Sequence, residues 1–171
     1  MARGGGRRTF RMELKGAKEL EAALLALPKR VRKAAIRRAL IKSAGPIVQD
    51  AKARVKANST RTGRLERVIN VATTLSRRQR RSRARGADRK AVEVFLGAGP
   101  ARQAHLVEFG TGPRAHKDGS STGSARAEPF MRPAWEGGKM QALEDFGRML
   151  WDEIARSAKR LAAQAVRAAK R

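Results

Sequence analysis

Few residues in this chain could do chemistry. His105 and His116 are the only imidazoles in 171 residues, and cysteine is absent. With Glu108 and Asp118 they form an imaginable nitrogen–oxygen metal set. No His-x-x-x-His spacing and no carboxylate pair accompanies them, and His105 reads more simply as a polar residue at the edge of a short helix. Gly110-Thr111-Gly112 is too short to cradle a phosphate and lacks the following Gly-Lys-Ser/Thr; its glycines suit a turn with positive φ. There is no Gly-x-Ser-x-Gly elbow. Asp50 and Glu66 stand isolated, and Glu108 has no acid partner for general acid–base work. The missing thiol removes disulfides, thiolate metal sites and cysteine nucleophiles. The expectation is a chain with no catalytic residues, no metal and no cofactor. A hydrolase built on His105 and Glu108 is a third possibility, behind two non-catalytic functions, and it requires that His105→Ala abolish activity while sparing assembly.

What the chain does have is positive charge. Lys and Arg number 40 against 15 Asp and Glu, a net charge of +25. Self-repulsion on this scale is relieved by an anionic neighbour: nucleic acid, an anionic membrane surface or an acidic protein. One cluster is Arg77, Arg78, Arg80, Arg81, Arg83, Arg85, Arg89 and Lys90, with Asp88 the one acid among them. A second is Arg3, Arg7, Arg8 and Arg11. A third is the C-terminal end, with Arg156, Lys159, Arg160, Arg167, Lys170 and Arg171 and no acid after Glu153. Two readings stay open. The arginines contact phosphate backbone or an acidic partner, which needs no base-reading side chains, or they are solvated loops and helix faces of an Arg-rich proteome. No aromatics interleave with them, so stacking on single strands is not expected. No apolar run reaches about 18 residues, so no transmembrane helix is expected. Met1–Arg11, basic and Gly-rich, does not read as a secretory signal.

The elements that position these residues follow from spacing. Hydrophobic residues make up 41% and aromatics 4%, so one domain can form a core, built from Leu, Ile, Val and Ala. A basic arm, 1–13, precedes a single domain, 14–171. Thr9–Leu14 could be a short strand. Leu20, Leu24 and Leu27 share one face of a helix over Ala17–Leu27. Lys29–Lys56 repeats the helical period, with Gly45-Pro46 predicting a kink or break. Val68–Leu75 and Ala91–Gly97 alternate as strands and predict an antiparallel hairpin with the basic loop 76–90 at its tip. Ala101–Phe109 is short helix or irregular. Residues 110–126, rich in Gly, Ser and Thr, predict a mobile loop. Pro129–Pro133 is expected extended. A long helix over 134–169 carries Leu143, Leu150, Ile154, Leu161 and Ala165 as its apolar stripe and is expected to pack across the sheet with a projecting end. The fold class is α+β: N-terminal helices, a small antiparallel sheet with a long basic hairpin loop, and a long C-terminal helix.

Four stretches together resemble a known family: Leu14-Lys15-Gly16 through Leu24–Lys29 and on to Ala44-Gly45-Pro46-Ile47-Val48; Thr60-Arg61-Thr62-Gly63-Arg64-Leu65; His105-Leu106-Val107-Glu108-Phe109-Gly110-Thr111-Gly112; and Glu128-Pro129-Phe130-Met131-Arg132-Pro133-Ala134-Trp135. In this order, from about Leu14 to about Arg160, they resemble the minor tail component family of long-tailed double-stranded DNA phages. These are neck or tail-completion proteins, related in role to the Z protein of phage lambda. The family often has Pro-Val before Arg-Thr-Gly, where this chain has Asn58-Ser59, and the Arg-rich insert and the 110–126 loop look longer than usual.

The resemblance implies a structural virion protein at the head–tail junction, assembled in the bacterial host cytoplasm. It implies a homo-oligomeric ring, sixfold, stacked with the head-completion (stopper) and tail-terminator rings around the DNA channel, and no membrane. In that role Glu108, Phe109, Phe130, Arg132 and Trp135 become candidate subunit-interface residues, since aromatics and arginines favour interfaces; the simpler alternative makes the aromatics core fillers. The arginines and lysine of 77–90 become candidate contacts to duplex DNA or to acidic neighbouring rings. The competing function is a free-standing, histone-like or ribosomal-type nucleic-acid-binding protein, with tight, salt-sensitive binding and no ring partners.

Overall fold

A computed structural model describes residues 17–58, 63–83, 91–99 and 101–169. The expected arm at 1–13 and strand at Thr9–Leu14, and the cluster members Arg85, Arg89 and Lys90, lie outside the described residues.

The N-terminal half is helical, as its spacing predicts. Helix α1, Ala17–Leu25, is short, and Leu20 with the following Leu27 is buried. Helices α2, Lys29–Ser43, and α3, Gly45–Asn58, replace one long rod. The break falls at Ala44, beside Gly45-Pro46. Pro46 sits in the first turn of α3, where a missing amide donor costs no intrahelical bond. The Ala44 N–H still bonds the Leu40 carbonyl (3.1 Å), and its carbonyl accepts from Val48 (3.2 Å), so the rod bends without losing continuity.

Of the strand expected over 68–75, only Asn70–Ala72 is strand, β1; Val68 instead ends a short helix, α4, Arg64–Val68. The correction has a packing reason. Gly63, at φ 58°, turns the chain, and one helical turn then buries Leu65 and Ile69 against Ile47, Val48, Ala51 and Val55 of α3. Strand β2 is Phe95–Gly97 rather than all of 91–97. The two strands pair antiparallel, with Val71 opposite Leu96, as the hairpin reading requires. The basic loop is not all loop. Helix α5, Arg77–Arg83, begins on a capping box in which the Ser76 amide donates to Gln79 Oε1 (3.1 Å) and the Gln79 amide to Ser76 Oγ (3.4 Å).

Helix α6, Ala104–Phe109, falls where a short helical segment was expected. Residues 110–126, expected as a mobile loop, instead form a second hairpin: strands β3, Thr111–Ala115, and β4, Ser121–Ala125, antiparallel and exposed along almost their whole length. Asp118 shapes its turn, accepting from the Ser120 amide (2.9 Å) and hydroxyl (2.7 Å).

Helix α7, Met131–Ala169, takes in the last three residues of Pro129–Pro133, the segment expected to be extended; Pro129 and Phe130 stay outside it. At 39 residues it is about 58 Å long. It does not pack across the sheet. It runs antiparallel to the bent α2–α3 rod, with Gly138 against Ile47, Glu153 beside Arg38 and Lys42, and Leu161 near Val31. The reason is surface: strands of three residues offer little apolar face, whereas α2, α3 and α7 carry stripes at the same period. Two cores result. One joins α3, α4, Phe130 and Ala134; the other joins Leu20, Leu27, Ala39, Leu150 and Ile154. Beyond Leu161 every residue to Ala169 is exposed, so the expected projecting end is present.

Candidate interaction site

The Val-Glu-Phe-Gly-Thr and Pro-Phe-Met-Arg-Pro stretches, some twenty residues apart in sequence, meet in space. A helix begins with amides that have no intrahelical acceptor. For α7 these belong to Phe130, just before it, then Met131, Arg132 and the third helical residue. Glu108 takes three of them: Oε2 accepts from Phe130 (2.8 Å) and Met131 (2.9 Å), and Oε1 accepts from Arg132 (2.9 Å). The next residue is Pro133, which has no amide proton. One carboxylate and one proline therefore settle the whole helix start, and the anion lies at the positive end of the α7 dipole. Burial alone would raise the Glu108 pKa; the three amide bonds, helped by the Arg132 charge, outweigh it and hold the carboxyl below its ordinary value.

The neighbours of Glu108 complete the joint. The Val107 carbonyl accepts from the Glu128 amide at 2.8 Å. Thr111 Oγ1 accepts from the Ala125 amide at 2.9 Å, closing the base of the β3–β4 hairpin. Gly110 sits at φ 72°, and a Cβ there would lie 2.8 Å from the Ala127 nitrogen and 2.9 Å from the Ala125 oxygen. Only glycine fits so close to another strand of backbone in that conformation. The motif thus builds a joint that fixes the angle between α6, the hairpin and α7.

The joint displays a surface. Phe109 is 64% exposed and Trp135 49%. The Arg132 guanidinium carbon stands 5.5 Å from the centre of the Phe109 ring, a cation–π arrangement that holds both side chains at the rim. The β3–β4 hairpin that follows the joint leaves Arg114, His116 and Lys117 exposed. Of the five residues expected at a subunit contact, Phe109, Arg132 and Trp135 are accessible. Phe130, 1% exposed, is a core residue, and Glu108 is buried as the helix cap. The whole Phe130 ring lies in the core with Ile47, Val48 and Ala134.

A second polar constellation was not foreseen. Glu153 is buried in the face of α7 that meets α2. It accepts from Arg38 Nε (2.6 Å), Lys42 Nζ (2.6 Å) and Arg156 (3.2 Å), while Arg38 also donates to Ser157 Oγ (3.2 Å). Burial opposes its ionisation, but the hydrogen bonds and charges of Lys42 and Arg38 prevail and lower its pKa to about 2. A signal was available: Glu153 lies between Leu150 and Ile154 on the apolar stripe, and an acid there needs a cation across the interface.

The Arg-rich cluster is placed in part. Arg77, Arg78, Arg80, Arg81 and Arg83 belong to α5, and the side chains of Arg77, Arg80 and Arg81 are exposed. Nothing among the described residues brings them to the aromatic rim. His105 is exposed on α6. Among the described residues no group of three or more His, Asp or Glu is gathered to hold a metal ion, and no helix is long and apolar enough to cross a membrane.

Residues 18–110 match the HK97-gp10-like family model, described as Bacteriophage HK97-gp10, putative tail-component. The match runs from α1 to Gly110 at the heart of the joint. It is narrower than the resemblance, which spans about Leu14 to about Arg160, so the β3–β4 hairpin and α7 lie beyond it. No curated protein and no solved structure shows significant similarity.

Proposed function

This chain belongs to the HK97-gp10-like family of phage tail components, and we propose that within the virion it acts as a neck, or tail-completion, protein. Copies associate into a ring, sixfold by the resemblance, between the head-completion and tail-terminator rings at the head–tail junction, and DNA passes through it. Its work is assembly rather than catalysis. The observation that supports this best is the joint: Glu108, Gly110 and Thr111 spend their chemistry on chain geometry and leave Phe109, Arg132, Trp135 and the hairpin facing outward. A rim with two exposed aromatics, one of them stacked with an arginine, has the composition of contact surfaces.

Exposed cations on α5 give the ring a sequence-independent contact to DNA phosphates or to acidic surfaces of adjoining rings. A lumen densely coated with cations would retard DNA exit, which favours the acidic neighbour for at least part of the charge.

Imaging particles made without this gene tests the proposal: filled heads separated from unattached or defective tails are expected. Normal, infectious particles from the deletion overturn it. Tight, salt-sensitive duplex binding by isolated monomers, with no assembly at any concentration, would favour the free-standing nucleic-acid-binding reading instead.

A further inference from the structure

We infer that the groove between α2 and the C-terminal part of α7 receives α1 of a second copy of this chain. The inference rests on the ring reading above and specifies one of its contacts. The groove encloses about 270 Å³. Its floor is apolar, from Val31, Ala34 and Leu161, and its walls are cationic, from Arg30 and Arg38 on α2 and Arg160 on α7. Arg38 is held by Glu153 and Ser157. Arg30 and Arg160 make no ion pair among the described residues, and α2 contains no acid. The floor is half-buried and open to solvent on one side. A helix with a narrow apolar strip flanked by carboxylates matches this groove in shape and charge.

Helix α1 presents such a strip. Its inner face, Leu20 and Leu24, is occupied by the core together with Leu27 just beyond its end. Its outer face, continued by the turn at Ala26, whose amide still bonds the Ala22 carbonyl, places Ala22, Leu25 and Ala26 together at helical spacing, all exposed, with Leu25 at 60%. Glu21 flanks the strip on one side and Glu19 on the other; Lys18 at its start is the one like charge. The groove and the outer face of α1 are different surfaces. Their contact is therefore heterologous, repeats head to tail, and closes into a ring when the rotation between copies permits. Nine residues of helix bury less than the roughly 800 Å² per partner of a stable interface. The contact is accordingly weak between two chains and accumulates around a closed ring.

The absence of cysteine makes the test clean. Full-length chains carrying Leu25→Cys are mixed with differently tagged chains carrying Ala34→Cys under mild oxidation, and the same mixture is imaged by negative stain. The expected product is the mixed disulfide, several-fold in excess of either homodimer. Adding Arg30→Glu and Arg160→Glu to the second chain should cut its yield by about tenfold; Glu19→Arg with Glu21→Arg in the first should restore it. Rings that form without the mixed disulfide overturn the α1 contact and leave the ring reading standing. The mixed disulfide in open strings supports the contact and overturns the closed ring. Ala34→Cys homodimers in its place, or a groove that binds short duplex DNA through Arg30 and Arg160 without the mixed disulfide, give the groove another occupant and overturn the inference. A mixture with neither rings nor mixed disulfide overturns it as well.

Discussion

Glu108 and Glu153 are both buried carboxylates bonded to α7 or lying within it, and they are held in opposite ways. Glu108 is satisfied by backbone amides of one short stretch, 130–132. Glu153 is satisfied by the ends of long, half-exposed side chains, Arg38, Lys42 and Arg156. Backbone donors cannot turn away when the acid is removed. Flexible cations can swing into water. The first arrangement therefore fixes chain geometry at a joint, and the second fixes how two helices lie together, with slack.

The largest effect expected is at the joint. Glu108→Ala strands three amides, and unfolding in urea should show a loss of about 3–4 kcal/mol. Glu108→Gln, which keeps one carbonyl acceptor, should recover part of it. A loss no larger than that of Glu153→Ala would break the contrast. Next is Gly110→Ala. Its Cβ meets two backbone atoms closer than 3 Å at positive φ, so a loss of about 2–3 kcal/mol is expected from the same measurement. A stable variant with an unchanged near-ultraviolet spectrum would show that the joint can open.

Glu153→Ala should cost less, about 1–2 kcal/mol, because its cations rehydrate, and Glu153→Met should be close to neutral by filling the same space with apolar atoms. The pair separates charge from packing at that site. A titration sharpens the same point. Both carboxyls have depressed folded-state pKa values, so the stability they contribute is present above the unfolded value and lost as pH falls through the folded one. For Glu153 that window runs from the ordinary 4.5 down to about 2. Glu153→Gln should flatten the fall in stability across it; an unchanged slope would mean that the buried ion pair does not report on folding.

The smallest effect expected lies along α7, where two adjacent glycines sit in different surroundings. Gly137 has open space where a Cβ would go, whereas at Gly138 a Cβ would lie 2.7 Å from Ile47 Cγ1. Gly137→Ala should stabilise by up to about 1 kcal/mol through helix propensity. Gly138→Ala should lose that gain and more as Ile47 is displaced from the core.

Local patterns were legible where local physics decides. The Leu20–Leu24–Leu27 spacing, the break at Gly45-Pro46 and the antiparallel pairing of the two short strands are set by helical period, by proline's missing donor and by alternation. The strand expected over Val68–Leu75 is shorter than its alternation suggests: Val68 ends helix α4, and only Asn70–Ala72 is strand. Tertiary burial of Leu65 and Ile69 against α3 outweighed that propensity. The 110–126 hairpin was hidden by its composition: Gly, Ser and Thr signal a loop, and no apolar alternation marks strands that face water. Ser76-x-x-Gln79 carried a capping signal that announced α5 inside the basic cluster.

The sequence by itself determined the charge, the helical stripes, the scarcity of reactive side chains and the motifs that mark a phage tail component, since each depends on residue identity and near-neighbour spacing. Only the tertiary structure decided what those motifs do. A carboxylate in one short helix can cap another helix twenty residues away only once the chain brings them together. Whether a phenylalanine fills a core, as Phe130 does, or stands exposed, as Phe109 does, depends on the neighbours that folding supplies and that no linear pattern contains.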